Sequence, residues 1–223
     1  MSQIILIHPD DATTKFLTPI TDILREVLGD KLILLEPSQD SAPSNEELSK
    51  IIDEYENVET VIFMGHGSRS SLHGGTSNEN EQHELFNFKN ASRFLTNKNF
   101  ICLSCWSVHF VYGLEGIKSS ISFGNLPTTW KDITEARSIS KNAYQNYTEK
   151  SIEIYQYELV NAFALGLKNG LGSSVSLKNI YNFIKLLINK AISKLVKEKS
   201  NLDQLLAARQ LYILKLQMNL IEI

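Results

Sequence analysis

Four short apolar runs, Ile4–Ile7, Leu32–Leu35, Val61–Met64 and Phe100–Leu103, are each separated from the next by a stretch long enough for a crossover. Between the first two, Phe16, Ile20, Ile23, Leu24 and Leu28 recur at helical spacing before Gly29. Between the second and third, Pro43-Ser44-Asn45-Glu46-Glu47 offers a helix start, and Leu48, Ile51 and Ile52 mark the apolar side of the helix. A helix through Phe88, Ala91 and Leu95 precedes the fourth run. Strands alternating with helices predict βαβ crossovers and a mostly parallel sheet buried on both faces.

Ile121-Ser122-Phe123-Gly124 reads as a fifth strand, and Pro127-Thr128-Thr129-Trp130 turns the chain out of it. From about Thr134 onward no strand is expected. Ile152–Leu167 reads as helix and Gly170–Ser174 as a break. Two long helices follow, divided near Ser200-Asn201, with Ile180, Phe183, Leu186, Leu187, Ala191 and Leu195 on one and Leu205, Leu206, Leu211, Leu214 and Leu216 on the other. Such stripes belong to a core or to a docking face. The expected organisation is one α/β domain over 1–175 with a helical hairpin over 176–223.

Bulk properties narrow the function. With 223 residues and 43% hydrophobic content, one substantial core is affordable. The 22 basic and 25 acidic residues leave a net charge of -3, without a Lys/Arg stripe interleaved with aromatics, so nucleic acid is not an expected partner. No apolar stretch approaches the roughly 18 to 20 residues that cross a bilayer, and MSQIILIHPDD lacks the basic start and small-residue cleavage site of a leader. A cytoplasmic protein that engages no membrane is expected. The only cysteines, Cys102 and Cys105, stand three apart and are expected to be thiols.

Chemistry in a parallel sheet collects beyond the carboxyl ends of the strands, where loops converge. His66 lies just after the third apolar run, in Phe63-Met64-Gly65-His66-Gly67, and Cys105 just after the fourth, in Ile101-Cys102-Leu103-Ser104-Cys105. A cysteine nucleophile needs a group that manages protons near neutrality, and imidazole is that side chain. The glycines flanking His66 leave room for a substrate backbone, and the amides of Gly67 and Cys105 are candidates to hold an oxyanion. Together these make a minimal acyl-transfer site. Taken singly, each residue has a plainer reading, since strand-end histidines and buried cysteines are common. Cys102, alternating to one face of a buried strand, is assigned to the core. Cys102 and Cys105 also form a CxxC. A redox pair belongs at a helix start, however, and zinc would need His66, His73, His83 or His109 without a second CxxC. No metal and no cofactor are expected.

Strand-His-Gly followed further along by strand-x-Ser-Cys resembles the caspase and gingipain clan of cysteine peptidases. The caspase-like domains called CHAT and the separases look closest. The resemblance covers about Met1 to Gly170, and Phe163–Gly170 looks like the helix that follows the fifth strand in such domains. It implies a caspase-hemoglobinase-like three-layer sandwich with additional C-terminal helices. It also implies a cysteine endopeptidase with a His66–Cys105 dyad, an oxyanion hole at Gly67 and Cys105, a protein substrate and a regulating protein partner. Histidine before cysteine is the reverse of the order in papain-like peptidases and glutamine amidotransferases. Trp106 departs from the small residue that many relatives carry after the cysteine, and no acidic partner for His66 is identified. By the same resemblance the substrate pocket draws on Asp10 and Asp11, Leu103, and Asn125–Asp132, where Asp10, Asp11 or Asp132 would suit a basic side chain. The polar stretch from Gly65 to about Glu81 is expected to be a lid or an activation loop that orders with substrate or a partner. The competing readings are a catalytically inactive protein-binding module of the same fold and a cysteine enzyme acting on a small molecule.

Overall fold

The structure, a computed structural model, describes residues 3–37, 50, 57–74, 83–173, 175–198 and 201–222. The chain forms two compact units, residues 1–124 with 218–223, and residues 125–217. The boundary expected at 175 therefore falls inside the second unit, and the last strand belongs to the first.

The first unit is an α/β layer structure. Five parallel strands, β1 (Gln3–Ile7), β2 (Leu32–Leu35), β3 (Val58–Met64), β7 (Asn99–Leu103) and β8 (Ser119–Ser122), are joined at one edge by the antiparallel β9 (Asn219–Glu222). Their order is β2-β1-β3-β7-β8-β9. Neighbouring β3 and β7 pair in register from Thr60 opposite Asn99 to Met64 opposite Leu103, so their carboxyl ends finish level. Alternation explains why these runs are apolar throughout. Ile5, Ile7, Val61, Phe63, Phe100 and Cys102 join one core with Ala91, Phe94 and Leu95 of α2 (Phe88–Leu95). The opposite set, Leu6, Ile62, Met64, Ile101 and Leu103, is equally buried. Helix α1 (Thr18–Leu28) buries Ile20, Leu24 and Leu28, the periodicity seen in the sequence.

Three expectations change in this unit. The polar stretch after β3 is not simply a loop: His66–Gly67 (β4), Ser71–His73 (β5) and Glu84–Asn87 (β6) make a small antiparallel sheet in the order β4-β5-β6. Residues 75–82, the remainder of the expected lid, and the helix expected around Leu48, Ile51 and Ile52 lie outside the described residues. The fifth parallel strand spans Ser119–Ser122, two residues earlier than expected. Finally, β9 appears where none was expected, pairing Ile221 with Ser120 and Leu220 with Ile121. Four residues at an edge carry too little alternation to register as a strand.

The second unit is helical: α4 (Trp130–Ile139), α5 (Glu149–Gly172), α6 (Leu177–Glu198) and α7 (Leu202–Gln217). Thr129 and Thr148 cap α4 and α5 through reciprocal boxes with Asp132 and Ser151. Helices α5, α6 and α7 pack on one another, and α5 approaches α6 closely enough that a Cβ on Gly166 or Gly170 would sit 2.4 or 2.2 Å from Ile184 or Ile180. Gly166 and Gly170 are thus packing positions, and the break expected over Gly170–Ser174 comes at the later end of that stretch, α5 running through Gly172 and α6 beginning at Leu177. Among the described residues no helix is long and apolar enough to cross a membrane.

Just past β1, His8 is 6% exposed, with Nδ1 3.0 Å from the Thr21 hydroxyl and Nε2 3.4 Å from the Thr14 carbonyl. Desolvation by burial holds this imidazole below the ordinary histidine pKa. Protonation is easier in the unfolded chain, so the stability tied to neutral His8 is complete above about pH 6.5 and is lost as pH falls through the lower folded value. Urea midpoints measured from pH 7.5 to 5 should fall toward acid, and His8→Asn should flatten that slope; an unchanged slope would show that His8 is not its source.

Candidate active site

The carboxyl ends of β3 and β7 are tied together before any functional side chain is reached. The Gly65 amide donates to the Leu103 carbonyl at 3.2 Å, extending the β3–β7 pairing by one bond. A Cβ on Gly65 would meet the Phe63 ring at 3.0 Å and Pro9 at 3.3 Å. One residue on, β4 turns to pair His66 with His73 and Gly67 with Leu72. Gly67 then lies directly on the end of β7: a Cβ there would stand 2.6 Å from the Ser104 hydroxyl and 2.9 Å from the Cys105 carbonyl. The glycine after His66 permits this close approach; it is not simply a space beside the histidine.

The segment bearing Cys105 is held just as closely from the other side. Trp106 adopts a left-handed conformation with φ of 58°, a region costly for a residue with a side chain. Its amide donates to the Gly124 carbonyl at 2.8 Å, and the Val108 amide donates to the Phe123 carbonyl at 2.9 Å. Ser107, fully buried, accepts the Phe123 N–H at 2.9 Å, and its hydroxyl lies 2.9 Å from the Cys102 carbonyl and 3.3 Å from that of Phe123. Stripping one such buried hydroxyl from its partners costs about 1–3 kcal/mol. These bonds fix the turn between β7 and the short helix α3 (Ser107–Tyr112), leaving Cys105 half-buried at its head. Arg69 lies 5.0 Å over the Trp106 ring, which also contacts His109.

His66 is held at one nitrogen. Its Nε2 is 2.6 Å from the Thr13 hydroxyl and 3.4 Å from Oδ1 of Asp11. The His66 side chain is 31% exposed, whereas that of Asp11 is 2% exposed. The same Asp11 oxygen accepts the Thr13 amide at 2.8 Å and the Thr13 hydroxyl at 2.5 Å. The sequence reading assigns Asp11 to a substrate pocket and finds no acidic partner for His66; the structure puts the Asp11 carboxylate beside the imidazole. Thr13 is absent from that reading. The signal for it is Asp-x-Thr just after a strand, a pattern in which the carboxylate caps the amide two residues on.

The other candidate pocket residues fall differently. Asp10 is exposed, with its amide bonded to the Pro37 carbonyl. Leu103 is 4% exposed and belongs to the sheet interior. Asp132, in the second unit, spends its carboxylate on the amides of Thr128 and Thr129, both at 2.8 Å, as the third residue of α4. Cys102 is fully buried, its thiol 3.4 Å from the Ser104 hydroxyl, and burial pushes its pKa up to about 12. Neither cysteine is in a disulfide. Among the described residues no group of three or more His, Cys, Asp or Glu side chains is arranged to hold a metal ion.

No protein-family model matches the chain. No curated protein matches it in sequence. The functional reading therefore rests on the residues and their geometry.

Two outcomes follow from this arrangement. Brief iodoacetamide treatment at pH 8 should modify Cys105 and spare Cys102, whose thiolate fraction at a pKa of about 12 is only about one in ten thousand; Cys102 should react once the chain is unfolded. Mass spectrometry of the peptides reads this, and equal labelling of both in the folded chain would contradict it. Gly67→Ala should force β4 away from Ser104 and Cys105 and lower stability by about 1–3 kcal/mol. A urea curve unchanged by the substitution would show that the close approach is not tight.

Proposed function

We propose that the chain is a cysteine endopeptidase of the caspase-like clan, with Cys105 as nucleophile and His66 as its proton carrier. The observation that carries the reading is the seating of the His66-Gly67 strand on Ser104 and Cys105, at the level carboxyl ends of adjacent parallel strands. The sheet order, with parallel strands in the middle and an antiparallel strand at one edge, is compatible with the three-layer sandwich that the resemblance implies. In this reading Nε2 of His66 is occupied by Thr13 and Asp11, so Nδ1 is the nitrogen that serves Cys105.

The chemistry then balances as follows. His66 takes the thiol proton, and the Cys105 sulfur forms a bond to the scissile carbonyl carbon while the amides of Gly67 and Cys105 face the developing oxyanion. Imidazolium returns the proton to the leaving amine as the C–N bond breaks. Water, deprotonated by His66, hydrolyses the thioester and regenerates the thiol. A protein substrate and a controlling protein partner belong to the same reading.

Substrate preference is narrowed by the geometry. The Asp11 and Asp132 carboxylates are engaged within the chain, and Leu103 is buried. Of the three carboxylates expected to select a basic side chain, Asp10 alone is exposed. The basic-residue preference that those carboxylates suggested consequently loses most of its footing, and the probe used to test the site has to span several side-chain classes.

Wild type and His66→Ala should be exposed briefly to peptidyl acyloxymethyl ketones carrying different residues before the warhead, and Cys105 labelling read by mass spectrometry. His66-dependent, residue-selective labelling is the expected result. Labelling by small thiol reagents alone would favour a small-molecule enzyme. No labelling, even with candidate partners added, would favour a non-catalytic protein-binding module.

A further inference from the structure

The geometry points to Asp11 and Thr13 as positioning residues that lock the neutral His66 ring in the tautomer whose Nδ1 lone pair is available to Cys105. The inference deepens the peptidase reading and rests on it for the role of Cys105, but the tautomer itself is a property of three residues in one unit.

An ionised carboxylate only accepts hydrogen bonds, and a threonine hydroxyl has one proton to give. Oδ1 of Asp11 takes both the amide and the hydroxyl proton of Thr13, at 2.8 and 2.5 Å. With its proton committed, the Thr13 oxygen presents only lone pairs to His66 Nε2 at 2.6 Å. Nε2 must therefore carry the hydrogen, and Nδ1 of the neutral ring carries none. The second short path, Nε2 to Asp11 Oδ1 at 3.4 Å, favours the same assignment.

Asp11 is suited to this task by its burial. At 2% side-chain exposure its charge is poorly screened by water and acts on the imidazole that Thr13 joins to it. When Nδ1 takes the Cys105 proton, the resulting imidazolium is stabilised through Nε2–H to Thr13 and on to the carboxylate. No proton moves to Thr13 or Asp11 at any step, and the proton on Nδ1 leaves with the amine. Thr13 itself is exposed, and its amide bond to Asp11 does not involve its side chain, so the hydroxyl can be removed without dismantling the turn.

The test uses the full chain with 15N-labelled histidine. At about pH 8.5, where an ordinary imidazole is neutral, the ring-nitrogen spectrum of His66 should show the Nε2–H form almost alone. Thr13→Val and Asp11→Asn should let the Nδ1–H form appear and slow Cys105 alkylation by chloroacetamide roughly tenfold or more, because the wrong tautomer leaves no base facing the thiol. Thr13→Ser, which keeps the hydroxyl, should retain the wild-type spectrum and rate. Wild-type tautomer ratios in folded Thr13→Val and Asp11→Asn would overturn the proposal. Should Asp11→Asn fail to fold, Thr13→Val and Thr13→Ala decide it. His66→Ala that leaves alkylation of Cys105 unchanged would overturn the dyad instead, and the nitrogen spectrum would still report on Thr13 and Asp11.

Discussion

The parallel pairing of β3 with β7 is the constraint on which the candidate site depends. Because Met64 is opposite Leu103, the residues that follow leave the sheet at one level, and Gly65 bonds back to Leu103. A slip of one residue would exchange the buried faces of β7, sending Cys102 and Phe100 to the side now filled by Ile101 and Leu103. Since both faces are buried, the register is enforced by the core, and the seating of His66-Gly67 on Ser104-Cys105 is inherited from it. The chemistry at the strand ends is thus a consequence of packing several residues away.

Around that pairing the protein spends backbone hydrogen bonds rather than charge. Trp106 in its left-handed conformation, the Ser107 hydroxyl among three backbone groups and the Trp106 amide on Gly124 together stop the chain at Cys105 and turn it into α3. On the histidine side the carboxylate partner is Asp11, brought in from the loop after β1. Strand β1 pairs with β3, so that loop is the natural neighbour of the His66 turn. The two cysteines illustrate the same division of labour. Cys102 points into the core and stays protonated, whereas Cys105, past the end of the strand, is partly open to solvent.

Much of this was legible in the sequence. Four apolar runs named β1, β2, β3 and β7 to within three residues, since strands buried on both faces are mostly apolar, and the fifth strand was placed two residues late. His66 and Cys105 stood out because each follows such a run directly. The caps of α4 and α5 were also written locally, in Thr129 with Asp132 and Thr148 with Ser151. Other features were not. The short strands β4, β5 and β6 are two to four residues long, too short to show a period, and β9 owes its existence to the open edge of β8. Gly170 read as the start of a break because helix propensity is a local property, whereas α5 runs on through Gly172 and Gly170 is dictated by Ile180 on another helix.

The sequence by itself determined which segments are buried, that the sheet is mainly parallel, and that one histidine and one cysteine end its strands. Those facts follow from local pattern, because apolar periodicity and strand-end position are properties of neighbouring residues. Only the tertiary structure decided what His66 is paired with. Asp11 is 55 residues from it in the chain and Thr13 is 53, and in sequence Asp11 is one of two adjacent loop aspartates with nothing to distinguish them. Burial does distinguish them: Asp10 is left exposed, while Asp11 is folded under Thr13 against the imidazole. A carboxylate acquires a role from the groups that surround it, and those groups are assembled only when distant strands pair.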